Sequence, residues 1–175
     1  MPMILPENIW KFVKRWEGGD AITNNPDDTG GLTKFGISQV NNPDVNVREL
    51  TESKAKSLYL ERYWRTAKCN EVPKFMQLIQ FNCAVNCGPS TARKILQKSV
   101  GAKADGRIGP NTKNRIMRFG NNPRVFVGKY LTFQVLYYFN IVQRRKSQHV
   151  WLKGWVRRTL DAMWITAVTY GQRKL

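Results

Sequence analysis

A chain of 175 residues, 42% of them hydrophobic, is long enough to bury one real core and too apolar to be a disordered polypeptide. Its 29 lysines and arginines against 12 aspartates and glutamates give a formal net charge of +17, which points to a polyanionic partner: nucleic acid, an anionic membrane face or an anionic cell wall. The basic residues are spread along the whole chain rather than gathered in a tail, so the charge belongs to a folded surface.

The chain opens Met1-Pro2-Met3-Ile4-Leu5-Pro6-Glu7-Asn8, without the basic segment and apolar run of a signal peptide. The expectation is synthesis in the cytoplasm. Residues 7–17 read as a helix, with Ile9, Trp10, Phe12, Val13 and Trp16 on one stripe. Gly18-Gly19 stops it, so Glu17 falls in the last turn. The helix dipole presents partial negative charge there, which favours a protonated carboxyl, the form a general acid needs.

Residues 20–33 are rich in turn formers, including Asn24-Asn25-Pro26 and Asp28-Thr29-Gly30-Gly31. Leu32 to Ile37 reads as the last strand of a small irregular hairpin, and Ser38 as the cap of a short helix. Thr51 caps a better helix that runs to about Trp64, with Leu58, Tyr59, Tyr63 and Trp64 on its apolar face. Residues 73–87 are the most apolar stretch, predicted to be the buried central helix. Gly88-Pro89 ends it and Ser90 caps the next helix.

Residues 101–110 read as a tight interhelical loop, 111–119 as a short helix and 123–144 as a long one. Trp151 to Arg158 leads into a last helix bearing Leu160, Met163, Trp164, Ala167 and Val168, whose apolar side is expected to pack in the core. The sum is a mainly α protein of about seven helices with one scrap of β structure near residues 20–37. Cys69, Cys83 and Cys87 read as small core residues with free thiols, and the single histidine, His149, as a surface residue; no metal or cofactor is expected.

Hydrolysis of a glycoside needs one carboxylic acid to protonate the leaving oxygen and a second group to position water or stabilise the oxocarbenium-like transition state. Glu17 has the setting of the first. Asp28 or Asp27, with Thr33, fits the second if the polar turn folds back over the helix end. The ordinary alternative for either aspartate is turn capping.

Glu17-Gly18-Gly19 followed by Pro26, Asp28, Gly30-Gly31, Thr33 and Phe35-Gly36-Ile37 resembles the signature of the glycoside hydrolase family 108 N-acetylmuramidases. Phe81 to Pro89, Leu96-Gln97, Asp105-Gly106-Arg107-Ile108-Gly109-Pro110 with Thr112, and Leu152 to Arg158 resemble the peptidoglycan-binding region that follows in that family. The resemblance implies a lysozyme-like fold, with a muramidase region over 1–90 and a peptidoglycan-binding region over 91–175. It implies cleavage of the β-1,4 bond between N-acetylmuramic acid and N-acetylglucosamine, as in a phage endolysin. Glu17 matches the family's catalytic acid, and the spacing of Glu17, Asp28 and Thr33 is similar to the Glu/Asp/Thr set of phage-type lysozymes. Two departures stand out: Asp20 replaces an aromatic residue, and Asn82 stands where an acidic residue is usual.

Beside the catalytic set, Asp20, Phe35, Asn86 and Tyr63 are candidate substrate-binding residues. For Phe35 and Tyr63 the competing role is core packing, and for Asn86 a satisfied buried amide. Arg144-Arg145-Lys146, Arg157-Arg158 and Arg173-Lys174 are candidate contacts with an anionic wall or outer-membrane surface. The expected partners are therefore peptidoglycan glycan strands, that anionic surface, and a holin for passage to the periplasm; the protein is expected to act as a monomer without nucleic acid. The rival classes are a basic nucleic-acid-binding protein, against which the lack of a recognised nucleic-acid motif and the diffuse charge count, and a catalytically silent wall-binding or virion protein.

Overall fold

The computed structural model describes residues 3–24 and 31–171. Those residues form seven α-helices and one two-stranded antiparallel sheet: α1 (Glu7–Trp16), β1 (Thr33–Lys34), β2 (Ile37–Ser38), α2 (Glu52–Tyr59), α3 (Lys74–Cys87), α4 (Pro89–Ser99), α5 (Pro110–Gly120), α6 (Pro123–Arg144) and α7 (His149–Tyr170). This is the mainly helical class that the sequence predicts. The chain divides into two compact units, Met1–Glu61 and Arg62–Leu175.

In the first unit, the stripe on α1 becomes core: Ile9, Trp10, Phe12 and Val13 are all buried. Trp10 cannot be buried without a partner for its indole N–H. It donates to Glu52 Oε1 at 2.6 Å, at the start of α2, and its ring meets Tyr59 edge-on at 6.0 Å. Lys56 Nζ then bridges Glu52 and Glu7, both at 3.2 Å. The Trp10 hydrogen bond first, and Lys56 after it, hold the Glu52 carboxyl below the usual range. Thr51 caps α2 as predicted, its side chain accepting from the Lys54 N–H at 3.3 Å.

Two local expectations change. Ser38 lies in β2 and caps no helix; residues 39–51 are irregular. The Gln39 side chain supplies the missing backbone pairing, donating to the carbonyls of Asn42 and Val45 at 3.3 and 2.7 Å and accepting from the Val47 N–H at 3.2 Å. The helix predicted to run to Trp64 stays α-helical only to Tyr59 and continues as a π-helix over Leu60–Arg65, with no glycine or proline to account for the change.

The second unit is built on α3, which packs against α4, α6 and α7. Met76, Leu78, Ile79, Phe81, Cys83 and Ala84 of α3 are buried, as the apolar run requires. Burial pushes the thiols of Cys69 and Cys83 well above the usual range. Gly88, at φ +83°, separates α3 from α4 and stands at the N-cap, so Ser90 is inside the helix rather than its cap.

The interior also holds a polar seam. Tyr130 donates to Gln80 Oε1 at 2.7 Å, and Gln80 Nε2 donates to the Ala67 carbonyl at 2.8 Å. Gln134 Nε2 donates to the Tyr138 hydroxyl at 2.6 Å and to Thr159 Oγ1 at 3.2 Å. Arg158, only 7% exposed, donates through Nε to Asn82 Oδ1 at 2.8 Å. It is a buried structural residue rather than a surface contact. The seam also decides how α7 lies. Arg158 and Thr159 point inward, where α3 and α6 offer them hydrogen-bond partners, and Ala162 and Thr166 are buried on the same side, while Leu160, Trp164 and Val168 are more than half exposed. The apolar side of α7 is not core, as the periodicity had predicted.

Asn82 leaves its own Nδ2 without a hydrogen-bond partner. Asn82→Asp removes that stranded donor and gives buried Arg158 an ionised acceptor, and charge-assisted bonds are about twice as strong as neutral ones. The variant is expected to gain about 1 kcal/mol, roughly 2–4 °C in melting temperature at pH 7, whereas Asn82→Leu is expected to lose about 1–3 kcal/mol because it removes the acceptor of the buried Arg158 Nε–H. Thermal unfolding of the two variants reads both signs.

Candidate active site

Glu17 ends α1. Its backbone is already outside the helix, at φ −108° and ψ 16°, but its N–H still bonds the Val13 carbonyl at 2.8 Å. Gly18 and Gly19 follow at φ +81° and +64°, conformations that other residues adopt at a cost. They turn the chain sharply away, leaving the half-buried Glu17 side chain at the corner.

The hairpin occupies that corner. β1 and β2 pair Thr33 with Ser38 and Lys34 with Ile37, which leaves Phe35 and Gly36 as a two-residue turn. Both have positive φ, +54° and +72°, the pattern of a type I′ turn. The turn lies against Glu17. A Cβ added to Gly36 would stand 2.6 Å from both Cβ and Oε2 of Glu17 and 2.9 Å from its Cγ. Only a glycine backbone fits so close to that side chain. The Phe35 N–H donates to the Gly19 carbonyl at 2.9 Å, so the loop leaving Glu17 and the turn covering it are tied together.

Phe35 holds its left-handed conformation because both its ring and its carbonyl are engaged. The ring is 3% exposed and packs on Trp10 with centroids 5.7 Å apart, and the carbonyl accepts from the Tyr59 hydroxyl at 3.0 Å. That burial corrects the expectation that Phe35 stacks on a sugar: its ring is a core element of the first unit. Thr33 is half-buried, and its hydroxyl donates to the Gly31 carbonyl at 3.0 Å, which leaves the oxygen lone pairs able to accept from a water. Its backbone forms a bridge with Thr23, with N–H···O distances of 2.8 and 2.9 Å. Asp20 is exposed just beyond Gly19.

Glu17, Asp20 and Thr33 thus belong to one unit, around one hairpin. Asp27 and Asp28 lie outside the described residues, as do Arg173 and Lys174. Tyr63 and Asn86 belong to the second unit. Tyr63 is half-buried in the π-helix, and Asn86 donates to the Tyr138 hydroxyl at 3.3 Å. Among the described residues, no three His, Cys, Asp or Glu side chains group to hold a metal ion. His149 is exposed. The part played by Gly36 was missed in the sequence; a residue-Gly pair flanked by two short extended pairs was the available sign.

Two family models match in tandem: glycosyl hydrolase 108 over residues 10–88, and a predicted peptidoglycan domain over residues 91–160. The chain belongs to the glycosyl hydrolase 108 family. It is a glycoside hydrolase that acts on peptidoglycan, with a peptidoglycan-binding region behind the hydrolase region. The two family models meet near residue 90, whereas the compact units of this glycosyl hydrolase meet at Glu61–Arg62. The solved structure of Brucella abortus SagA shares its fold, with a TM-score of 0.77, 24% identity and 92% of each chain covered. That fold is lysozyme-like. No match was found among curated proteins.

Gly36→Ala tests the corner. The methyl group meets both an unfavourable φ, costing about 1 kcal/mol, and the Glu17 side chain, which must move. Gly88→Ala, at φ +83° with nothing within 4 Å of the added Cβ, carries the same backbone strain alone. Both variants are expected to lose stability in thermal melts. Only Gly36→Ala is expected to lose peptidoglycan hydrolysis as well, by more than about tenfold in dye release from labelled sacculi.

Proposed function

We propose that this glycosyl hydrolase is an N-acetylmuramidase, a lysozyme that cleaves the β-1,4 bond between N-acetylmuramic acid and N-acetylglucosamine, with Glu17 as the general acid. The observation that carries the reading is the close packing of the Phe35–Gly36 turn on the Glu17 side chain, in the region matched by the hydrolase family model. A proton donor needs a fixed position relative to the glycosidic oxygen. A side chain on a helix end, boxed by a backbone that admits no Cβ, has such a position.

In this mechanism Glu17 gives its proton to the leaving oxygen as the bond to the anomeric carbon lengthens. Thr33 and Asp28 orient the water that completes hydrolysis. Asp20 offers a hydrogen-bonding carboxylate to a sugar hydroxyl, and Asn86 and Tyr63 are further candidates for contacts with the glycan. The net charge of +17 supports an attraction to the carboxylates and phosphates of the bacterial envelope, weakened by salt. The wall as substrate makes the periplasm the place of action, and release through a holin-type pore at the end of a phage cycle is the route we propose.

Glu17→Gln keeps the size and hydrogen bonding of the side chain and removes the proton. It is expected to lower muropeptide release from purified sacculi by about 10²–10⁴-fold while the melting temperature stays within a few degrees of wild type. Products that carry reducing N-acetylmuramic acid ends establish the bond cleaved. Equal release by variant and wild type would remove Glu17 from the chemistry.

A further inference from the structure

The second unit carries a groove that this hydrolytic mechanism does not use. It encloses about 650 Å³ where the end of α4 meets α5 and the first half of α6. Val100, Phe119, Val125 and Phe133 give it an apolar lining. Lys98, Arg115 and Lys129 stand around it, one from each of the three helices, and no carboxylate lines it. The three cations form no ion pair among the described residues. Elsewhere in the molecule, cations near acids are paired: Lys113 with Glu71 at 2.9 Å, Lys56 with Glu7 and Glu52. Here Lys129 Nζ instead lies 5.1 Å from the Phe119 ring centre, and Arg115 Nε bonds only the neutral Asn111 amide oxygen, at 3.2 Å.

The groove is kept open by glycine. Gly128 faces it from α6, and a Cβ built there meets nothing within 4 Å. Three unpaired cations around an apolar floor call for a ligand with several carboxylates and small apolar side chains. Phe119 and Phe133 are half-buried in the lining rather than projecting, so they suit methyl groups better than stacked bases. All ten lining residues fall within the stretch matched as a peptidoglycan domain. The peptide stem of peptidoglycan, a short chain of alanines and carboxylate-bearing residues, has this chemistry.

We infer that the groove between α4, α5 and α6 binds the peptide stem of peptidoglycan through its carboxylates, and so anchors the enzyme to the polymer independently of the glycan site. The inference rests on the reading of peptidoglycan as the substrate. Its consequence is that the enzyme prefers glycan that carries stems over glycan that has lost them.

The test is cosedimentation, in the cold, of the full-length protein with beads that carry two polymers coupled through their glycan: intact sacculi, and sacculi whose stems an amidase has removed after coupling. The groove variants are Lys98→Gln/Lys129→Gln, which removes two cations, and Gly128→Leu, which fills the groove from a helix position that tolerates and favours a side chain. Lys11→Gln/Lys74→Gln, at two exposed sites outside the groove, removes the same charge. Wild type is expected to bind intact sacculi more tightly than stripped ones. Both groove variants are expected to bind intact sacculi roughly tenfold more weakly and to lose the preference, and the control pair to keep it. Groove variants that bind like wild type would overturn the inference, as would equal binding of wild type to the two polymers or an equal loss in the control pair. A wild-type protein that neither binds nor cleaves intact sacculi would instead overturn the substrate reading, and this inference with it.

Discussion

The first unit is organised by one close approach, that of the Gly36 backbone to the Glu17 side chain. It exists only because the β1–β2 turn is two residues long and both have positive φ. Such a turn costs Phe35 roughly 1 kcal/mol of backbone strain. The surroundings offset it. The Phe35 ring is buried on Trp10, its carbonyl takes the Tyr59 hydroxyl, and its N–H reaches Gly19, two residues from Glu17. Strain at the corner is thus held by packing on α1 and α2 rather than by the hairpin, which is too short to be stable alone.

The packing that holds the corner depends in turn on satisfied polar groups. Trp10 can fill the centre of the unit only because Glu52 takes its indole N–H, and that hydrogen bond first, with Lys56 and Lys14 after it, keeps Glu52 ionised. The second unit also buries polar pairs, at larger scale, although Asn82 Nδ2, Gln134 Oε1 and Thr166 Oγ1 find no hydrogen-bond partner among the described residues. Gln80, Gln134, Tyr130, Tyr138 and Thr159 pair with one another across α3, α6 and α7. These bonds orient α7 with its polar side inward, against the direction that hydrophobicity alone would choose. They specify one arrangement of helices where a uniformly apolar core would admit several.

How much of this was legible in the sequence follows from the range of each signal. α1, α3 and α6 were readable because their apolar periodicity is long and their ends carry glycine or proline. The placement of Glu17 at a helix end was readable from Gly18-Gly19 alone. Ser38 and Ser90 were misread because a serine before apolar residues is only a local sign, and a Gln39 side chain and a proline at the first position of α4 decided otherwise. The sidedness of α7 was not readable at all, since it depends on which residues α3 and α6 turn toward it. For Phe35 the sequence left both a sugar platform and a core residue open; its left-handed backbone, fixed by Trp10 and Tyr59, puts its ring in the core. Gly36 was visible as part of a motif, but its reason is a contact with a residue nineteen positions away.

The account joins a boxed carboxyl group in the first unit to a cationic groove in the second, on a strongly basic protein whose family acts on peptidoglycan. Its central claim is that Glu17 delivers the proton. The most direct measurement is a crystal structure of Glu17→Gln with a bound peptidoglycan tetrasaccharide. The account predicts the scissile glycosidic oxygen within hydrogen-bonding distance, about 3 Å, of the side chain at position 17, with the Phe35–Gly36 turn still packed on it. A scissile oxygen beyond reach of that side chain and hydrogen-bonded to a different carboxyl group would contradict it.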